Sequence, residues 1–83
     1  MPKITVKFFG YVGTKVGQRS LQIDVSEDLT QALTEIDRYL GMNLSADLDN
    51  LWTLLINGRN YRLLDNSLQD NDNLAFITLA GGG

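Results

Sequence analysis

Only one stretch of this 83-residue chain carries a helical apolar period, and that limits the fold more than any other feature. Leu29, Leu33, Ile36 and Leu40 fall at i, i+4, i+7 and i+11, which places them on one face of a helix. Asp28 stands where an N-cap belongs, with Gln31 three residues on in a capping-box arrangement. Glu27 and Asp28 also suit the positive end of the helix dipole, and Gly41 occupies the position of a left-handed C-terminal cap. A chain with one amphipathic helix and otherwise strands packs most economically as a single sheet with that helix across one face.

The strands are read from alternation. From Lys3 to Phe9, Ile4, Val6 and Phe8 share one face and Thr5, Lys7 and Phe9 the other. Gly10 to Gly17 holds three glycines and is expected to be a loop joining this strand to an antiparallel partner, in which Leu21, Ile23 and Val25 alternate with Gln22 and Asp24. Met42 to Asn50 is polar and acidic, with Leu44 and Leu48 expected to pin it to the body. Leu51 to Ile56 is a nearly continuous apolar run, expected to be a strand covered on both faces. Asn57-Gly58 signals a turn, Tyr61 to Leu64 a short returning strand, and Asp65 to Asn73 turn and loop. The last strand, Leu74 to Leu79, is apolar enough to be central, which would set it parallel to the first with the helix as crossover. The expected fold class is α+β: a β-grasp, or ubiquitin-like, mixed sheet with one main helix across one face. Residues 1–79 form its single domain and 80–83 a flexible tail.

Composition removes whole classes of chemistry. There is no cysteine and no histidine, hence no thiol nucleophile, no zinc-thiolate site and no imidazole base. A net charge of −3 argues against a nucleic-acid or anionic-membrane surface, which needs clustered Lys and Arg. No apolar run approaches membrane-spanning length and the N-terminus lacks a signal segment, so a cytoplasmic protein is expected. No metal site is expected either. Asp70 and Asp72 have no third ligand at a suitable offset and read as a solvated turn. Glu35 and Asp37, two apart on the helix, point to different sides and form no acid/base pair. Trp52 reads as a core anchor or an interface residue.

The last residues are Ala80-Gly81-Gly82-Gly83. Three glycines offer a bare carboxylate on a thin backbone that reaches roughly 10 Å when extended. Launched from a buried strand, such a tail is held at its root and free at its tip.

With these pieces in order, the chain resembles the MoaD/ThiS family of ubiquitin-like sulfur carriers, most closely its molybdopterin synthase small-subunit branch. The resemblance runs over essentially the whole length. It rests on Ile4-Thr5-Val6-Lys7-Phe8-Phe9-Gly10, on the capped helix entry Asp28-Leu29-Thr30-Gln31-Ala32-Leu33, and on Leu55-Ile56-Asn57-Gly58-Arg59. The run Leu68-Gln69-Asp70-Asn71-Asp72-Asn73-Leu74-Ala75-Phe76 and the terminal Gly82-Gly83 complete it. Two positions depart from the family pattern. Asn71 stands where Gly is common, and Leu79-Ala80-Gly81 replaces a lead-in that often holds proline.

The resemblance implies a carrier without catalytic machinery of its own. An E1-like adenylating enzyme of the MoeB/ThiF type would use ATP and Mg to activate the Gly83 carboxylate. A sulfur donor protein would convert it to a thiocarboxylate, and a molybdopterin synthase large subunit of the MoaE type would accept the sulfur. No cofactor would be bound by the chain itself. Gly81 and Gly82 would thread the activating site, where a Cβ would collide with the walls. Candidate partner contacts are Phe8, Phe9, Arg59, Tyr61 and Leu63, provided they lie on the sheet face away from the helix; ordinary core or edge packing is the alternative for each. Three further readings remain at this point: a protein modifier joined to lysine through Gly83, a carrier for thiamine, cysteine or tRNA thiolation, and a β-grasp binding module with an incidental tail.

Overall fold

A computed structural model describes residues 1–79; the expected tail lies outside the described residues. The strands are β1 (Lys3–Phe9), β2 (Ser20–Asp24), β3 (Trp52–Ile56), β4 (Arg59–Asn60) and β5 (Asn73–Thr78). They form one sheet in the order β2-β1-β5-β3-β4. β5 is central and parallel to β1, with Val6 opposite Leu74 and Phe8 opposite Phe76, while the other pairs are antiparallel. This is the expected β-grasp sheet.

The main helix, α2 (Leu29–Leu40), forms as its local sequence dictates. The Asp28 carboxylate accepts the Gln31 N–H at 3.0 Å, satisfying a donor that the first turn leaves free. At the other end Gly41 adopts φ +69°, and its N–H donates back to the last carbonyls, ending the helix in a left-handed cap. The apolar stripe is shifted slightly from its expected centre. Leu29, Ala32 and Ile36 are buried, while Leu33 and Leu40 lie half-buried on the flank. An alanine at the centre lets the helix backbone approach the sheet closely.

Under α2 the sheet contributes Ile4, Val6 and Phe8 from β1, Trp52, Leu54 and Ile56 from β3, and Leu74 and Phe76 from β5, all buried. The Phe8 and Phe76 rings stack with centroids 5.8 Å apart. Trp52 is the largest of the fully buried side chains, and its indole N–H donates to the Leu44 carbonyl at 2.9 Å. That bond satisfies a polar group inside the core and ties down the 3₁₀ turn Leu44–Asp47, where Leu44 is buried and Leu48 half-buried.

Three local expectations are corrected. Gly10 to Gly17 is no loop: Tyr11–Val16 is a short helix, α1, anchored by the fully buried Val12. The returning strand is Arg59–Asn60, and Tyr61–Leu63 is a 3₁₀ turn whose Arg62 N–H is held by the Asn60 side chain. Third, β3 is covered on one face only; Trp52, Leu54 and Ile56 are buried while Thr53 and Leu55 are half-exposed. Asn71, the departure noted above, has φ +70°, a left-handed conformation that asparagine tolerates.

Truncating Ile36 to alanine should cost about 2–5 kcal/mol, because the side chain is wholly buried where helix meets sheet. Leu33→Ala, on the half-buried flank, should cost less. Urea denaturation of the two variants checks the order.

Candidate functional site

Among the described residues no helix lies over the second face of the sheet. Register places Phe9, Ile77 and Thr53 side by side across β1, β5 and β3, and beneath them Lys7, Ala75, Leu55 and Asn60. Phe9 is 49 % exposed, and Ile77, Ala75, Leu55 and Thr53 are half-buried. This is an apolar strip along the middle of the open face with Lys7 beside it. It runs toward the end of β5, from which the chain continues into the glycines.

The root of that continuation is pinned twice. The Leu79 N–H donates to the Leu51 carbonyl at 3.0 Å. Thr78 uses its hydroxyl in both senses: it donates to the Phe9 carbonyl at 3.0 Å and accepts the Val12 N–H at 3.1 Å. The end of β5 is thereby joined to the end of β1 and to the first turn of α1.

Of the candidate contacts, Phe9, Arg59 and Leu63 are exposed, Leu63 by 81 %. Tyr61 is half-buried. Phe8 is a correction: it is 4 % exposed and lies with Ile4 and Val6 on the helix side, as strand alternation requires, so it is not available to a partner. Gly81, Gly82 and Gly83 lie outside the described residues. Ile77, Ala75 and Leu55 were missed as site residues because their apolar runs hide the period of two. The expected parallel pairing of the first and last strands, carried through residue by residue, is the signal that finds them beside Phe9.

At the β3–β4 margin a carboxylate organises its neighbours. Asp49 accepts hydrogen bonds from the Tyr61 hydroxyl and, at 3.1 Å, from the Thr53 hydroxyl, with the Arg62 guanidinium 3.6 Å away. The Tyr61 bond holds the Asp49 carboxyl below its ordinary value; partial burial opposes this, and Thr53 and Arg62 reinforce it. Tyr61 is pushed up, by burial first and then by the bond and charge of Asp49. Its hydroxyl is committed within the fold.

The other acids are structural. Glu35 accepts the Ser26 N–H at 2.7 Å and the Ser26 hydroxyl at 2.8 Å, bonds that lower its pKa. Asp37 caps the 3₁₀ turn through the Leu44 N–H at 2.9 Å and the Ser45 hydroxyl. Asp70 takes the Lys3 N–H, and Asp72 takes the Gln69 N–H and the Asn57 side chain. Among the described residues no three acidic side chains gather as a metal site would require, and no helix is long and apolar enough to cross a membrane.

The β-grasp body with its central β5 is a ubiquitin-like fold. Among solved structures the chain is similar to the small archaeal modifier protein 1 (SAMP1) of Methanosarcina acetivorans, with a TM-score of 0.73 at 20% identity over 100% of this chain and 98% of that one. It is similar to Urm1 of Sulfolobus solfataricus, with a TM-score of 0.69 at 28% identity over 90% and 99%. It also matches the molybdopterin-converting factor of Helicobacter pylori, seen as a complex of subunits 1 and 2, with a TM-score of 0.66 at 22% identity over 98% and 99%. No family model matches the sequence, nor does any curated protein sequence. The neighbours are ubiquitin-like carrier and modifier proteins, which agrees with the MoaD/ThiS resemblance read in the sequence.

Asp49 is lowered on folding, so its contribution is present above the ordinary aspartate range and is lost as pH falls through the lowered value. Tyr61→Phe removes the main cause. The variant should lose less stability than the parent when pH drops below about 4, as urea midpoints measured against pH would show. Identical slopes would show that the bond carries no pH-dependent stability.

Proposed function

We propose that this chain is a sulfur carrier that acts through the carboxylate of Gly83. The observation that carries the reading is the end of the central strand, fixed by Thr78 and Leu79 beside an uncovered apolar strip that offers a partner a docking surface. In the sequence it is followed directly by Ala80-Gly81-Gly82-Gly83.

The chemistry belongs to the partners. A carboxylate is a poor electrophile because its charge is delocalised and its leaving group would be oxide. An E1-like enzyme of the MoeB/ThiF type would bring Mg-ATP to it; the carboxylate oxygen attacks the α-phosphorus, pyrophosphate leaves and an acyl-adenylate forms. The terminal sulfur of a donor protein's persulfide displaces AMP, and a thiol then cleaves the acyl disulfide to release the thiocarboxylate. Its sulfur is nucleophilic and passes to a substrate held by the acceptor. This chain supplies docking, reach and the terminal group.

Within this class we assign it to molybdopterin synthesis in the cytoplasm, as a small subunit that works with a large subunit of the MoaE type. Support comes from the similarity to one member of a two-subunit molybdopterin-converting factor. Similarity to SAMP1, a modifier by name, favours a second reading in which Gly83 becomes amide-linked to a lysine.

Incubation with an activating enzyme, ATP and a sulfur donor should raise the intact mass by the replacement of one oxygen with sulfur. A lysine conjugate would instead indicate the modifier, and an unchanged mass would leave only a binding module. Deleting Gly82-Gly83 should abolish adenylation, since the carboxylate would sit roughly 7 Å short. The same deletion should leave the melting temperature almost unchanged. Phe9→Ala should weaken docking about tenfold or more through loss of an exposed aromatic contact, read as a rise in KM for the carrier at constant kcat.

A further inference from the structure

We propose that Thr78 is a positioning residue for activation of the tail, its hydroxyl locking the end of β5 to the first turn of α1. This role rests on the carrier reading and adds a residue to it.

The geometry begins with Gly10, the N-cap of α1. Gly10 has no side chain to offer the free N–H groups of the first turn, and none of its atoms caps Val12. The cap comes instead from across the fold, where the Thr78 hydroxyl accepts the Val12 N–H at 3.1 Å over a separation of 66 residues. The same oxygen donates to the Phe9 carbonyl at 3.0 Å, the last of β1. One hydroxyl thus uses its donor and an acceptor lone pair on two different elements, and both bonds meet at the final residue of β5.

Space around this contact is matched to it. A Cβ built on Gly10 would lie 2.9 Å from the Thr78 hydroxyl oxygen and 3.1 Å from its Cβ, and Gly10 holds φ +75°, which side-chain-bearing residues rarely adopt. A glycine is required at position 10 so that threonine 78 can reach in. α1 is itself fixed by Val12, which is fully buried, and by the Lys15 ammonium 6.0 Å from the centre of the Trp52 ring. Thr78 is therefore tied to a seated element and not to a loose turn. One residue later the Leu79 N–H is held by Leu51 on the opposite side of β5. The two restraints together fix the backbone at Thr78 and Leu79, where the lead-in begins for which the family resemblance leads one to expect the stiffness of proline.

Adenylation requires the carboxylate to reach ATP in line, so the direction of the root affects the chemical step more than docking on the open face. Thr78→Val removes the hydroxyl and keeps the shape; Thr78→Ser keeps the hydroxyl. With the cognate E1-like enzyme and ATP, Thr78→Val should lower kcat for pyrophosphate release about ten- to a hundredfold while KM for the carrier stays within twofold, about the scatter of such measurements. Thr78→Ser should restore most of the rate. Gly10→Ala, which displaces the hydroxyl, should reproduce the valine phenotype. Amide exchange at Val12 and 15N relaxation at Leu79, read in the same variants by NMR, should show both sites loosened in Thr78→Val and retained in Thr78→Ser, with the rest of the domain unchanged. Unaltered Val12 and Leu79 amides in Thr78→Val would overturn the lock. Loosened amides with an unchanged kcat would overturn its role in activation. A parent chain that is never adenylated would overturn the carrier reading and this role with it, and the parent control separates that outcome from a failure of Thr78 alone.

Discussion

Strands β1 and β5 lie side by side and parallel although they come from opposite ends of the chain, Val6 against Leu74 and Phe8 against Phe76. A parallel pair cannot be joined by a tight turn, so the intervening chain must cross over one face, and α2 makes that crossing. Almost every other feature follows. The crossing covers one face and leaves the other bare. It places β5 in the middle, with β3 on its far side, so the strand that leads to the glycines is the best-supported one in the sheet. The Phe8–Phe76 stack sits on this seam.

Local physics made α2 easy to read. Its caps, Asp28 and Gly41, lie within the helix's own turn of sequence, and both bonds form as the residues predict. The parallel seam was legible too, from the apolar character of the last strand. α1 was not. Its six residues include a glycine, it has one buried anchor in Val12, and the hydroxyl that caps its first turn lies at position 78. No window along the sequence contains both halves of that contact. The same holds for β4, two residues long, whose existence depends on the register of Leu55 and Ile56 across the Asn57-Gly58 turn.

The candidate site was legible in part. Alternation along β1 already separates Phe8 from Phe9, and the structure keeps that separation, one in the core and one on the bare face. The neighbours of Phe9 were harder to name because Leu51 to Ile56 and Leu74 to Leu79 are apolar on both faces, which erases the period-two signal. Their apolarity has two separate causes. Trp52, Leu54, Ile56, Leu74 and Phe76 fill the core, while Leu55, Ala75 and Ile77 build the strip on the other side. Tyr61 shows the converse, a residue singled out for its exposed potential whose hydroxyl is already held by Asp49.

The two margins of the sheet bear on how such a bare face is tolerated. β2 presents Ser20, Gln22 and Asp24 with Leu21 and Ile23 turned inward, and β4 offers only Arg59 and Asn60 before the chain turns away. β4 is too short to give another chain a row of free backbone groups to pair with, and β2, five residues long, lines its edge with exposed polar side chains. A stickiness confined to the middle of a sheet, with blunt and polar borders, accepts a shaped partner surface pressed against it and resists growth by edge-to-edge strand addition.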